Sequence, residues 1–180
     1  MKEYIDTARN ALALLMRAGA DKAQCTLTVD KVDEVTAEAK KFNLMRTYTR
    51  ATLYLKIIVG RKPTSITINR LDDASVKKAV ENCFAAQEYA DEDEYASIAE
   101  MTENKRWARG ALTGDSGSMI RRLVELARKI EEEYPQIFYE CSGRYVHRYS
   151  VLLNSNGVEY VDESGSYLIG ASYIARDGDE

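Results

Sequence analysis

The fragment GDSGS, residues 114–118, places a serine between glycines, as in the nucleophile loop of trypsin-like serine proteases. That chemistry needs a histidine base and a buried carboxylate, and in those proteases the histidine precedes the serine. His147 is the single histidine of the chain, and it follows the fragment. The order excludes this chemistry, and the fragment instead predicts that Asp115 or Ser116 caps the start of a helix.

Residues that could bind a metal are too scattered to predict a site. Cys25, Cys83 and Cys141 are odd in number and far apart, so they fit neither a zinc knuckle nor a disulfide framework. We expect reduced, buried thiols. The acidic runs DEDE and EEE lack the glycines and the ligand spacing of a calcium loop and are typical of a solvated surface. With His147 expected in the core or at a sheet edge, the sequence predicts no catalytic, cofactor-binding or metal-binding residue.

Charge and hydropathy exclude further classes of function. The net charge of -4 lacks the basic excess that neutralises phosphates, so we expect no direct nucleic-acid binding. The segment GRKPTS, from Gly60, lacks the second glycine and the Lys-Ser/Thr ending of a phosphate loop and predicts a hairpin turn. No apolar run is long enough to span a bilayer, and charged residues interrupt the first twenty residues. The sequence therefore predicts a cytoplasmic protein without membrane contact.

Three amphipathic helices are predicted from apolar residues spaced three and four apart. The first ends near Gly19, the second is capped by Asp72 or Asp73, and the third runs from about Ser116 to the segment EEEYP. Their apolar stripes consist of Ile5, Ala8, Leu12 and Leu15; Val76, Ala79, Val80, Cys83 and Phe84; and Ile120, Leu123, Ala127 and Ile130.

Strands are predicted wherever apolar and polar residues alternate. Between the first two helices the segments are AQCTLTVDK, EVTAEAKKF, ATLYLKIIVG and TSITINR, and after the third they are QIFYECSG, RYVHRYSVLLN, GVEYVDE and SYLIGASYIA. The gaps are too short for crossover helices, which favours antiparallel meanders. Asn156-Gly157 is the strongest hairpin signal, because both residues tolerate a positive φ.

The order of these elements predicts the fold class. A helix followed by a strand meander occurs in each half, which indicates an α+β fold of duplicated units with helices packed on antiparallel sheets. We expect a first α/β unit over residues 1–90, a connector over 91–115 that is rich in acids and glycines, and a second α/β unit over 116–180.

Three segments together resemble one known family. They are GADKAQCTL after the first helix, VGRKPTSITINRLDDASVKKAVENCFAAQEYADEDEYASIAE in the middle, and YSVLLNSNGVEYVDESGSYLIGASYIARDGD near the end. In combination they are similar to the amino-terminal region of the TldD/PmbA family, also written TldD/TldE, whose members are known as proposed modulators of DNA gyrase and as zinc-dependent peptidase pairs. The segment EDEYASIAE is similar to the connector of the PmbA/TldE branch, which lacks the metal site.

The resemblance implies a role without catalysis for this chain. In the catalytic branch zinc is held by a His-Glu-x-x-x-His helix of the carboxy-terminal domain, a motif that this sequence lacks. The chain is then expected to be the amino-terminal domain of a longer protein, one that helps to assemble a zinc-dependent peptidase complex and to enclose its peptide channel. Implied partners are a homologous family subunit, in a homodimer or heterodimer, and a peptide or unfolded-protein substrate of the full complex.

Two questions remain open at this point. An independent protein-interaction module, unrelated to proteolysis, is the alternative to the peptidase assembly. The chain also has twelve tyrosines, which suit interfaces because they bury a ring and keep a hydroxyl hydrogen-bonded, yet tyrosine equally favours the interior of a sheet. Those considered for an interface are Tyr145, Tyr149, Tyr160, Tyr167 and Tyr173.

We predict that the purified chain holds no stoichiometric zinc. Its single histidine and separated cysteines do not supply the three or four ligands that a zinc ion requires. Elemental analysis of the protein after dialysis against buffer without metal tests this. One zinc per chain that survives dialysis would contradict the prediction.

Overall fold

The computed structural model describes residues 2–38, 41–101 and 103–174. These residues form three helices and six strands. In chain order the elements are α1 (Lys2–Arg17), β1 (Lys22–Glu38), β2 (Lys41–Val59), β3 (Lys62–Ile68), α2 (Asp73–Gln87), β4 (Lys105–Gly110), α3 (Ser116–Glu133), β5 (Phe138–Asn154) and β6 (Glu159–Ile174).

The strands belong to one six-stranded sheet in the order β3-β2-β1-β5-β6-β4. Helix α1 is followed by three strands that are consecutive neighbours, and α3 is followed by the neighbouring pair β5 and β6. Strands β2 and β3 pair antiparallel, from Leu53 opposite Ile68 to Val59 opposite Lys62. The predicted α+β class is confirmed.

The strands are fewer and longer than the sequence predicts. Two predicted strands merge in β5, where a break was expected after Gly143. A side chain at Gly143 would begin 3.1 Å from Cγ of Met119, so this glycine permits close approach of α3 and does not end the strand. Strand β6 likewise joins two predicted segments. The predicted strand EVTAEAKKF divides between β1 and β2, and its residues Ala39 and Lys40 lie outside the described residues.

Strand β4 lies in the segment expected to be a connector. All six of its residues are exposed, and the sequence KRWARG has no apolar alternation that could have indicated a strand. Its place at the edge of the sheet explains the composition, because an edge strand has a neighbour on one side only.

Residue contacts divide the chain into two compact units, each built from three segments. The first unit consists of residues 1–30, 50–108 and 148–163, and the second of residues 31–49, 109–147 and 164–180. Residues 175–180 lie outside the described part of the chain.

The core of the first unit is formed by α1, α2 and the inward faces of the strands. The predicted stripe of α1 is buried at Ile5, Ala8 and Leu15, and Leu12 is partly buried against the same core. The stripe of α2 is buried too, with Phe84 at its margin. From the strands come Ala23, Cys25, Leu27, Val29, Leu53, Leu55, Ile57, Tyr149, Val151, Leu153 and Val161.

The second unit has a smaller core under α3. Met119 and Leu123 of the helix are buried, and the predicted stripe residues Ile120, Ala127 and Ile130 are partly buried against them. The strands contribute Val35, Tyr139, Cys141 and Tyr145 to this cluster.

The turn between β5 and β6 is the predicted Asn-Gly hairpin turn. Gly157 has a φ of 89°, and its backbone N–H donates to the carbonyl of Asn154 at 3.1 Å. The Asn154 side chain is almost fully buried, at 3% exposure, and its Oδ1 accepts from the backbone N–H groups of Asn156 (3.0 Å) and Val158 (3.1 Å). Its Nδ2 donates to the carbonyl of Ala99 at 2.8 Å. The Asn154 side chain therefore supplies the hydrogen bonds that the backbone of the turn needs, and it holds the segment at Ala99 beside the turn.

We predict that Asn154→Ala lowers the free energy of unfolding by about 2–4 kcal/mol, because it removes three hydrogen bonds and leaves the buried N–H of Val158 without its acceptor. Asn156→Ala, in the same turn, removes one exposed bond to the same carbonyl and should cost less than about 1 kcal/mol. Urea denaturation followed by circular dichroism measures both. Equal losses for the two variants would contradict this account of the turn.

Candidate protein-interaction surface

The fragment GDSGS caps the start of a helix, as predicted. Asp115 is the N-cap of α3, and its carboxylate accepts from the backbone N–H of Ser118 at 2.9 Å and from the hydroxyl of Ser118 at 2.6 Å. The Ser118 hydroxyl lowers the pKa of Asp115. Ser116 donates weakly to Asp33 at 3.5 Å. Capping of α2 by Asp72 is confirmed in the same way, through the N–H of Ser75.

The three thiols are buried as predicted. Burial raises the pKa of Cys25 to about 12, and its Sγ donates to the carbonyl of Ala8 at 3.1 Å. Burial also raises the pKa of Cys83 and Cys141. Such thiols are protonated at neutral pH and therefore weakly nucleophilic.

Within the described ranges, no group of three or more histidine, cysteine, aspartate or glutamate side chains is placed so that it could hold a metal ion. No helix among these residues has the length and apolar character needed to cross a membrane. His147 lies in β5 at intermediate burial. Because β5 has a strand neighbour on each side, the expectation that His147 lies in the core or at a sheet edge is wrong.

In the first unit, two arginines hold the buried carboxylate of Asp30. Arg148 donates from Nε to Oδ1 at 2.7 Å and from Nη2 to Oδ2 at 2.9 Å, and Arg50 donates from Nε and Nη2 to Oδ2 at 3.0 and 2.8 Å. Asp30 is 3% exposed, whereas both guanidinium groups reach solvent. The bond from Arg148 lowers the pKa of Asp30, with a further contribution from Arg50. Asp30 of β1 thereby links β2 and β5.

The second unit contains an arrangement of the same kind around Glu34. Arg144 donates to Oε1 at 2.6 Å, and Arg46 donates from Nε to Oε2 at 2.7 Å. The bond from Arg144 lowers the pKa of Glu34, followed by that from Arg46. Each carboxylate accepts from two arginines, so each cluster carries one surplus positive charge.

A groove of about 490 Å³ in the first unit runs beside α1. Ile5, Tyr149 and Val161 give it an apolar floor, and its rim is charged. At the rim Arg9 and Arg106 donate to the carboxylate of Glu159 at 2.7 and 3.4 Å. The other lining residues are Lys2, Asp6, Trp107, Ala108 and Glu163. The cations and carboxylates of the rim nearly balance, so the groove has no charge preference that would identify a ligand.

The tyrosines considered for an interface separate into core and surface residues. Tyr145 and Tyr149 are 4% and 5% exposed and lie in the cores of their units, so an interface role is wrong for these two. Tyr160 is half-buried and meets Trp107 edge to face, with 5.4 Å between ring centroids. Tyr167 and Tyr173 remain candidates, with exposures of 41% and 71%.

The last eight described residues of β6 form an exposed apolar surface of the second unit. This segment, Tyr167–Ile174 with the sequence YLIGASYI, is exposed along its whole length and contains no charged residue. Leu168 and Ile174 are 68% and 62% exposed, and Ile169 is 40% exposed. Because successive side chains of a strand point to opposite faces, both faces of the sheet are apolar here. We call Tyr167–Ile174 the exposed strand segment.

The fold of the chain matches solved structures. It aligns with TldE from Thermococcus kodakarensis at a TM-score of 0.77 and 16% identity, and with a proposed modulator of DNA gyrase from Bacteroides thetaiotaomicron at 0.80 and 18%. It also aligns with a proposed modulator of DNA gyrase from Thermotoga maritima, at a TM-score of 0.68 and 11% identity. No protein-family model and no curated protein matches the sequence. The fold is that of proteins of the TldD/PmbA type, which confirms the resemblance predicted from the sequence.

The chain spans about two fifths of the length of these structures. The alignments cover 96%, 100% and 98% of this chain and 40%, 43% and 41% of the respective neighbours. At these identities the likeness concerns the fold.

The carboxylate and arginine clusters were missed by the sequence analysis. A signal exists, since Asp30 and Glu34, Arg46 and Arg50, and Arg144 and Arg148 are all spaced by four residues. The spacing alone does not show which strands are neighbours, so opposite charges could not be paired.

We predict that Asp30→Asn lowers the free energy of unfolding by about 1–3 kcal/mol at pH 7, because charge-assisted bonds from two arginines are lost and their solvent contact moderates the cost. Glu132→Gln should cost under about 0.5 kcal/mol, since Glu132 forms an exposed pair with Arg128 in α3. Urea denaturation measures both.

The difference in unfolding free energy between wild type and Asp30→Asn should change with pH in a defined direction. The pKa of Asp30 is lower in the folded protein than in the unfolded chain, where it is about 3.9. The stabilisation by the Asp30 carboxylate is therefore complete above the unfolded pKa and is lost as pH falls through the folded pKa. The gap in stability between wild type and Asp30→Asn should therefore narrow below about pH 4. A gap that widens on acidification would contradict the role of this carboxylate.

Proposed function

We propose that this chain is the non-catalytic amino-terminal domain of a TldD/PmbA-type protein. In this role it helps to assemble a zinc-dependent peptidase complex and to enclose the channel for its peptide substrate. Support comes from the fold, which matches TldE and two proposed modulators of DNA gyrase, and from the length of those proteins, of which the chain spans about two fifths. Zinc and the catalytic residues are expected in the carboxy-terminal domain of the catalytic family branch.

The observation that carries the proposal is the exposed strand segment. Large apolar side chains that are exposed together mark surfaces that another protein part covers. Leu168 and Ile174 point to one face of the sheet, and Ile169 and Tyr173 point to the other, so a layer on one face alone would leave half of them in water. A partner that reaches both faces, such as a homologous family subunit, fits this arrangement.

Charge and thiol chemistry agree with the proposed setting. A net charge of -4 favours a protein partner and a peptide or unfolded-protein substrate over direct contact with nucleic acid. Three free, buried thiols are typical of a cytoplasmic protein, because disulfides are rare in the cytoplasm.

The proposal is tested by hydrogen exchange on this chain alone and mixed with a homologous TldD/PmbA-type subunit from the same genome. We expect slower amide exchange across 167–174 in the mixture, because backbone and side chains there become covered, and unchanged exchange in α2. Leu168→Lys should abolish the protection, whereas Val124→Lys, a change at another exposed apolar residue, in α3, should not.

Two outcomes would overturn the proposal. The first is unchanged exchange across 167–174 in the presence of the homologous subunit, which would favour an interaction module unrelated to proteolysis. The second is peptide cleavage by this chain alone in the presence of a chelator, since the proposal assigns catalysis to zinc held elsewhere.

A further inference from the structure

In the second unit, one buried carboxylate holds two guanidinium groups side by side. Glu34 lies in β1, between Arg46 of β2 and Arg144 of β5, and is only 6% exposed. Arg46 binds Oε2 through Nε and Nη2, both at 2.7 Å, and Arg144 binds Oε1 through Nη2 at 2.6 Å. Because both arginines are anchored to the same carboxylate, their charged ends are neighbours. We call Glu34, Arg46 and Arg144 the Glu34 cluster.

Both guanidinium groups have N–H donors that remain available. A guanidinium group carries five such donors. The hydrogen bonds to Glu34 engage Nη2 of Arg144 and both Nε and Nη2 of Arg46. Nε and Nη1 of Arg144 and Nη1 of Arg46 therefore have no hydrogen-bond acceptor among the residues that the structure describes. The two side chains are 42% and 55% exposed, so a ligand in solution can reach these donors.

Arg46 is held in place by a second contact. Its guanidinium carbon lies over the ring of Tyr48, 5.0 Å from the ring centre, within the range of a cation–π interaction. Since Glu34 and Tyr48 already restrict this side chain, it loses little further freedom when a ligand binds. Such preorganisation lowers the entropic cost of binding.

The Glu34 cluster has one positive charge more than its carboxylate balances. The hydrogen bond to Glu34 raises the pKa of Arg144, and no second carboxylate of the described chain contributes. The arrangement around Asp30 in the first unit differs. There the hydrogen bond to Asp30 raises the pKa of Arg148, and the charge of Asp162 adds to this effect. A bound anion would supply the charge that the Glu34 cluster lacks.

We propose that the Glu34 cluster binds the phosphate group of a small phosphate monoester. In this site Arg46 and Arg144 donate to the phosphate oxygens, and Glu34 is a positioning residue that holds both arginines. A phosphate monoester carries a charge of about -1.5 to -2 at pH 7 and three terminal oxygens. The planar guanidinium group is suited to such oxygens because it can donate two parallel hydrogen bonds.

A phosphate group suits the two arginines better than a carboxylate does. The terminal oxygens of a phosphate point in three directions, so one phosphate can accept from both guanidinium groups at once. A carboxylate has two oxygens in one plane and a single charge. The inference goes beyond the proposed function, because it concerns other residues than the exposed strand segment and needs no second subunit.

The experiment is an NMR titration of the isotope-labelled 180-residue chain with methyl phosphate, at about pH 7.5 and constant ionic strength. We expect saturable shifts of the backbone amides of residues 33–35, 45–47 and 143–145 and a dissociation constant of about 1 mM, the strength of a few charge-assisted hydrogen bonds. Inorganic phosphate should bind about as well, whereas dimethyl phosphate, with a single charge, should bind roughly tenfold more weakly.

Three results of this titration would overturn the site. The first is the absence of saturable shifts with methyl phosphate. The second is binding of inorganic phosphate alone, which would assign the cluster to free phosphate and exclude an ester. The third is equal binding of dimethyl phosphate, which would indicate attraction of any anion.

Lysine variants test the geometry of the arginines. Arg46→Lys and Arg144→Lys keep the charge but lose the planar group, and each should weaken the binding of methyl phosphate roughly tenfold. Arg50→Lys is the matched control, because Arg50 lies in the same strand as Arg46, is similarly exposed and also donates to a buried carboxylate. It should bind like wild type. Equal affinities of the three variants, each shown to be folded by circular dichroism, would contradict the proposal.

Glu34→Gln separates a positioned site from simple charge attraction. The change removes a negative charge from the cluster, so charge attraction alone predicts tighter binding of methyl phosphate. If Glu34 positions the two arginines, binding should instead weaken roughly tenfold, because the glutamine amide has one acceptor oxygen in place of two. Unchanged or tighter binding would exclude the positioning role. The homologous subunit is absent from these titrations, so their outcome is separate from the test of the proposed function.

Discussion

The alignment of the central strands in the first unit depends on one buried carboxylate. The carboxylate of Asp30, in β1, accepts two hydrogen bonds from Arg50 of β2 and two from Arg148 of β5. A slip of one residue would carry the carboxylate to the opposite, apolar face and leave it without partners. The same slip would turn Leu27 and Val29 out of the core. Besides its contribution to stability, the polar cluster thus selects one alignment of the strands.

The sequence was most informative about elements with a clear period. All three helices were predicted, and most stripe residues of α1 and α2 are buried, whereas in α3 only Leu123 of the predicted stripe is fully buried. Each cap was predicted as one of two residues, and Asp72 and Asp115 are the ones whose side chains accept from a backbone N–H one turn later. Asn156-Gly157 located the final hairpin for a similar reason, since few residues tolerate that turn. These features depend on a few neighbouring residues, so no knowledge of distant contacts was needed.

Features that depend on distant contacts could not be predicted. Gly143 indicates the end of a strand in the sequence, yet in the fold it makes room for Met119. Tyr145 and Tyr173 are chemically identical, and only the position of α3 and the neighbouring strands decides that one is buried and the other exposed. The arginine partners of Asp30 and Glu34 were missed because sequence spacing does not reveal strand order. The three-part domain division of the sequence stays a prediction.

The position of the single tryptophan has a consequence for spectroscopy. Trp107 lies on the short edge strand β4, is 44% exposed, and contacts the ring of Tyr160. Neither hydrophobic core contains it. Its fluorescence emission therefore reports the attachment of β4 to β6, and it can shift toward the red while both cores are intact. Circular dichroism and tryptophan emission should give separate denaturation midpoints whenever β4 detaches first, so a single optical probe would misjudge the cooperativity of unfolding.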